Sequence, residues 1–260
     1  MELLVKSYAE QWAACGIEKG DTVLLHSSIA PSILRDKRRL AGQELPKLFF
    51  NAFSQAVGEE GTMIYPTFNF DFSDGNPYDI RNSPSQMGAL SNYALRQSTF
   101  RTGHPVYSFV AFGAKAQQLC GVNNRSAYGI DSPFEMLKAL DAKVAILNLP
   151  DQNSMTFYHH VEQLMEVPYR FHKDFTQPYT KFDGNTSSQT YSIFVRDIDS
   201  SVCTDVNPMG DFLWESGIYS GHRHTEGTGL RVARLQAIFK ATANVIRSGK
   251  AEGMLFSRNT

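Results

Sequence analysis

Four stretches of this chain are built around short apolar runs, too short to be anything but buried strands or helix fragments. They are DTVLLHS at 21–27, TMIYP at 62–66, SFVAFG at 108–113 and KVAILNL at 143–149. A strand covered by helices on both faces loses the in–out alternation of a half-wet strand and reads as a continuous apolar run. The stretches between them carry the helical period instead. Residues 1–15 suit a helix ending near Gly16, and Gln43–Val57 sets Leu45, Leu48, Phe49, Ala52, Phe53 and Ala56 on one side. Further helices are expected at Gly88–Arg96, Pro133–Leu140, Tyr158–Met165 and about Leu230–Ile246. Strands alternating with helices predict an α/β fold, with a mixed sheet carrying helices on both faces.

After Tyr169 the pattern changes. Thr190–Val195 alternates like a strand with one wet face, and Asp183-Gly184-Asn185 suits the turn of a hairpin. An antiparallel β insertion is therefore expected near residues 173–200. The segment 69–86 is rich in Asn, Asp, Ser, Gly and Pro and reads as a long loop, a kind of segment that often serves function. With no repeat or low-complexity linker in sight, residues 1–260 are expected to form a single domain.

The charge balance narrows the partners. A net charge of -1 offers no field to hold nucleic acid or an anionic membrane, so neither is an expected partner. Cys15, Cys120 and Cys203 are far apart and lack metal or disulfide spacing. No leader-like start and no run near the roughly 20 residues that span a bilayer is present. The expected setting is the cytoplasm. Neither GxGxxG nor GxxxxGK[ST] occurs, which leaves dinucleotide and P-loop readings unsupported.

The densest chemistry lies in TFYHHVE at 156–162, just beyond the fourth apolar run. On a helix, Thr156, His159 and Glu162 share one face. A carboxylate beside an imidazole orients it and favours its role as a proton acceptor. A helix start with solvated polar groups satisfies the same spacing, so the pattern alone leaves both open. A metal-dependent hydrolase using His159, His160 and Glu162 is a further alternative, but HHxE is not the HExxH order that two zinc-binding histidines require. The turn His26-Ser27-Ser28 closes the first apolar run and could receive a phosphate or carbonyl oxygen. Arg170, His172 and Lys173 form a small basic cluster.

Taken in order, the segments resemble the aminoglycoside 3-N-acetyltransferase family. The resemblance runs from about Asp21 to Arg247 and rests on HSS at 26–28, YPTF at 65–68, SPSQMGALS at 83–91 and HPVYSFVAFG at 104–113. It continues through YGIDSPFEMLKALDAKVAIL at 128–147, TFYHHVE at 156–162, VPYR at 167–170 and GTGLRVAR at 227–234. It implies an α/β acyltransferase that uses acetyl-CoA, or another acyl-CoA, as co-substrate and no metal. The acceptor implied is a small-molecule amine, on an aminoglycoside or amino sugar, with antibiotic resistance as one outcome; a homo-oligomer is left open.

The resemblance further implies that His159 is the general base, Glu162 its partner and Thr156 a donor to the developing oxyanion. His26, Ser27, Ser28, Ser85, Met87 and Gly88 would line the coenzyme path. Thr67, His104, Ser108 and Arg170 would shape the substrate cleft. A non-catalytic binding protein of the same fold is the rival reading. The sequence departs from the family at His160, usually apolar, and at Asn148, where the strand commonly ends in Gly. It also gathers few acids for a polycationic substrate: Asp71, Asp74, Asp79, Glu166, Asp205 and Asp211 form no obvious single cluster.

Overall fold

The computed structural model describes residues 1–258. Its strands are β1 (Thr22–Ser27), β2 (Thr62–Pro66), β3 (Tyr78–Asp79), β4 (Phe109–Gly113), β5 (Lys143–Leu147), β6 (Arg170–Thr180), β7 (Thr186–Arg196), β8 (Val202–Thr204), β9 (Ser220–Gly221), β10 (Leu230–Arg234) and β11 (Phe256–Arg258). Its helices are α1 (Glu2–Ala14), α2 (Ala30–Arg35), α3 (Lys37–Leu40), α4 (Leu45–Val57), α5 (Ala89–Gln97), α6 (Ala116–Cys120), α7 (Pro133–Ala139), α8 (Phe157–Leu164), α9 (Asn207–Glu215) and α10 (Leu235–Arg247).

The central sheet has the order β4-β2-β1-β5-β10-β9. β1 lies between β2 and β5 with all three parallel, while β4 and β10 run antiparallel to their neighbours. The mixed sheet is the one expected. Its two faces feed separate cores. Val23 and Leu25 of β1 join Trp12, Phe49, Phe53 and Leu90 from α1, α4 and α5. Leu24 points the other way, to Phe134, Val161, Leu213 and Ile238 from α7 to α10. Burial on both faces is why β1, β2 and β5 show no polar alternation.

The insertion is a long hairpin. β6 and β7 pair antiparallel from Arg170↔Arg196 to Thr180↔Thr186, across the turn at 183–185. Its first arm was not visible as a strand because much of RFHKDFTQPYT is solvated on both faces. Within the long loop at 69–86, Tyr78–Asp79 adds a short parallel pairing to β6.

The last expected helix starts later than its sequence suggests. Leu230–Arg234 is a strand, not the start of the last helix, and the helix begins at Leu235. Leu230 and Val232 face one core while Ala233 and Leu235 face the other. Pairing with β5 over five residues decides the conformation there against a composition that also suits a helix.

Candidate active site

The chain leaves β5 through Asn148, which takes a left-handed conformation with φ 59°. Asn tolerates that region better than most residues. Its side chain donates to the Ser28 carbonyl at 2.6 Å and to Ser32 Oγ at 2.9 Å, and it accepts from Arg35. A residue where the family commonly has Gly thus clamps the end of β5 to the end of β1. After a single 3-10 turn at Asp151–Asn153, α8 begins with Thr156 at its N-cap.

The i, i+3 spacing on α8 brings His159 Nδ1 to 2.8 Å from Glu162 Oε2. That carboxylate is sealed, with Glu162 only 1% exposed, and Arg170 from the start of β6 sets its Nε 2.8 Å from the same oxygen. The approach is a charge contact rather than a well-aligned hydrogen bond. The Arg170 guanidinium also donates to the Phe194 carbonyl at 3.2 Å and to Thr204 Oγ1 at 3.3 Å. A residue expected to touch substrate is instead mostly spent inside the protein, although it reaches the wall of the cleft.

These contacts set the protonation states. Burial pushes Glu162 toward its neutral form, but Arg170, His159 and the Tyr169 hydroxyl outweigh it and hold the carboxyl below its ordinary range. Burial, followed by the Arg170 charge, lowers the His159 pKa; Glu162 opposes this without reversing it, and Arg196 adds to the lowering. Glu162 does raise the basicity of His159 as expected, but burial and the Arg170 charge together outweigh it. At neutral pH the ring is neutral. An ionised Glu162 requires the proton on Nδ1, which leaves the Nε2 lone pair available. Nε2 has no hydrogen-bond partner among the described residues, and His159 lines a cleft of about 420 Å³.

Tyr107 and Tyr128 form one wall of that cleft, and the hairpin residues Phe171, Lys173 and Ile193 form another. The Tyr128 ring lies 5.5 Å from the His159 ring and 4.8 Å from Tyr107. Both tyrosines fall inside quoted motifs, yet nothing local marked them as facing His159.

His160 takes a different course. It is fully buried, with Nδ1 donating to the Tyr128 carbonyl at 2.8 Å and Nε2 lying 3.1 Å from Glu135. The adjacent imidazoles serve separate partners and do not converge, as a shared metal would require. Among the described residues no group of three His, Cys, Asp or Glu is placed to hold a metal ion.

At the carboxyl end of β1, two expected coenzyme segments come together. Gly88 caps α5 with φ +91°, and a Cβ there would stand 4.0 Å from the Ser27 carbonyl oxygen. Ser85 is buried and its Oγ accepts from the Met87 N–H at 3.1 Å. His26, by contrast, is a core residue: burial, then the Arg231 charge, takes its pKa down to about 3. It offers no positive charge to a phosphate. Ring contacts lead from His26 through Phe68 and Tyr107 to Tyr128 and His159.

Thr67, Ser108 and His104 do not line the cleft. Thr67 and Ser108 share a 3.0 Å hydrogen bond, and both accept from the buried Arg101. Arg101 also donates to the Ser83 carbonyl at 2.6 Å and so ties the loop before Ser85 to the end of β2. Sequence reading missed it, since nothing in STFRTGH distinguishes it from a surface arginine. His104 Nδ1 accepts the N–H groups of Val106 and Tyr107, and burial takes its pKa to about 3. Each looked available in sequence because burial is not written there. Thr156 shares the face of α8 with His159, and its hydroxyl makes no hydrogen bond among the described residues; it is not part of the cleft wall.

A family model of aminoglycoside 3-N-acetyltransferases matches residues 34–247. The chain is 27% identical over 194 residues to aminoglycoside N(3)-acetyltransferase VII of Streptomyces paromomycinus, covering 65% of this chain and 64% of that protein. The match thus spans just under two thirds of that relative's length. It is 26% identical over 219 residues to aminoglycoside N(3)-acetyltransferase III of a Salmonella species, covering 77% of this chain and 73% of the relative. Among solved structures, AAC-IIIb in a binary complex with CoASH superposes with a TM-score of 0.75 at 21% identity, over 94% of this chain and 96% of that one. At that identity the likeness speaks for the fold.

Proposed function

The chain belongs to the aminoglycoside 3-N-acetyltransferase family, and from that premise we propose that it transfers an acetyl or other short acyl group from coenzyme A to a primary amine of an aminoglycoside or amino sugar. The observation that carries this reading is the His159 ring: neutral, pinned through Nδ1 to an ionised carboxylate, with Nε2 unpartnered at a cleft.

Acyl-coenzyme A supplies a thioester, whose carbonyl carbon is the electrophile. A neutral amine attacks that carbon through its lone pair, and His159 Nε2 accepts a proton from the nitrogen as the new C–N bond forms. Glu162 holds the ring and stabilises the imidazolium, and Arg170 keeps Glu162 ionised. The imidazolium then returns its proton to the departing sulfur as the C–S bond breaks, so that the thiol leaves. A placed base of this kind contributes about 10²–10⁴ in rate. Thr156, one turn before His159 with its hydroxyl unbonded, is the candidate donor to the thioester oxygen.

Ser27, Ser28, Ser85, Met87 and Gly88 are the residues we assign to the coenzyme. They fit it in one respect: without a Cβ, Gly88 leaves the space beside the Ser27 carbonyl open. The test is free thiol release from acetyl-CoA with a panel of aminoglycosides and amino sugars. Amine-dependent release supports the reading; no release with any amine points to a binding protein.

A further inference from the structure

The walls of the His159 cleft do not match a polycation. Lys173 and Arg196 line it, and neither has a carboxylate partner among the described residues. Asp199 is the one carboxylate on the wall. Arg170 is also there, but its charge is matched by Glu162. Two unmatched cations face one acid, where an aminoglycoside with several ammonium groups calls for several acids. The positive charge reaches the reacting centre, since Arg196 is among the groups that lower the His159 pKa.

We propose that the acceptor held beside His159 is an amine that also carries a phosphate, such as a phosphorylated or nucleotide-linked amino sugar, with Arg196 and Lys173 holding the phosphate. The inference rests on the acyl-transfer reading above and names its substrate class. The chemistry is consistent on both sides of the molecule. A phosphate satisfies the two cations, and a guanidinium suits its oxygens particularly well. Positive neighbours disfavour the ammonium form of the acceptor, which raises the share of free amine that can attack. Phe171, 48% exposed beside Lys173, presents a flat apolar surface against which a sugar ring can lie. The remaining source of phosphate in the reaction is the coenzyme itself. Its assigned residues, Ser27 and Gly88 among them, are not among those that line this cleft.

The test compares glucosamine, glucosamine 6-phosphate and kanamycin with the full chain, by calorimetric binding and by thiol release from acetyl-CoA. The wild type should bind glucosamine 6-phosphate about tenfold or more tightly than glucosamine, and kanamycin no better than glucosamine. Arg196→Glu with Lys173→Glu should abolish that ratio, and Arg196→Gln should reduce it. Both positions are exposed, so these variants should fold. Equal binding of the two glucosamines, or preference for kanamycin, overturns the proposal. So does a pair of variants that keep the ratio but raise the KM for acetyl-CoA, because the cations would then serve the coenzyme. A phosphate preference lost in the variants, with no thiol release from any amine, supports the phosphate site while overturning acyl transfer.

Discussion

Glu162→Gln separates the structural and chemical roles of the buried group around His159. Glu162 is 1% exposed and Arg170 5%, and their charged atoms lie 2.8 Å apart. Removing one partner of such a pair strands the other charge away from water, at a cost of about 3–5 kcal/mol. For a chain of this size each kcal/mol lowers the melting temperature by about 2–4 °C, so a drop of roughly 6–20 °C is expected. Turnover should also fall, on the order of 10²–10⁴-fold, because an amide no longer fixes the Nδ1–H tautomer and leaves Arg170 unopposed beside the ring. Adding Arg170→Met removes the stranded charge. Replacing a buried pair with apolar groups is often close to neutral, so the double variant should recover most of the lost stability. It should not recover turnover, since the ring still lacks its carboxylate. The assays are thermal unfolding and amine-dependent thiol release on wild type, both single variants and the double variant. A double variant no more stable than Glu162→Gln would refute the buried pair. One that regains turnover would refute the orienting role, leaving Glu162 only to neutralise Arg170.

Two further outcomes follow from the buried polar groups. His26 and His104 are held by burial at about 3, His26 with help from Arg231, whereas each takes a proton near 6.5 when unfolded. Below 6.5 the unfolded chain binds more protons than the native one. Stability should therefore be complete above that pH and fall by about 1.4 kcal/mol per pH unit for each histidine as pH drops toward 3. Urea unfolding should show a loss of roughly 3 kcal/mol between pH 6.5 and 5 from the two together; a flat profile would mean that they are not buried neutral. At Asn148, Ala loses the clamp to Ser28, Ser32 and Arg35 and also pays for φ 59°, whereas Gly loses only the clamp. Asn148→Ala should be less stable than Asn148→Gly by about 1 kcal/mol in the same assay, and the reverse order would refute backbone strain there.

The local parts of this account were legible in the sequence. The strands at Thr22–Ser27, Thr62–Pro66 and Lys143–Leu147 could be read because burial on both faces makes a run apolar throughout. The His159–Glu162 contact could be read because i, i+3 neighbours on a helix need no tertiary information. What was not legible depends on distant residues. Arg170 looked like a substrate contact, and its pairing with Glu162 requires the hairpin to be folded against α8. That pairing sets a positive charge beside the imidazole which, with burial, outweighs the raising effect of Glu162. His104, Thr67 and Ser108 are polar and sit beside a strand end, which resembles a cleft wall; only the fold shows them sealed around Arg101 and the local backbone. Leu230–Arg234 carries a composition that suits helix or strand, and β5 settles it. The hairpin arm at 170–180 lacked a pattern because its two faces are unevenly wet.

The most direct measurement is thiol release from acetyl-CoA by His159→Ala, at saturating amine and neutral pH, alongside its affinity for coenzyme A. A proton acceptor at Nε2 predicts turnover lower by about 10²–10⁴-fold with coenzyme A binding nearly intact. Near-wild-type turnover by a folded His159→Ala would contradict it.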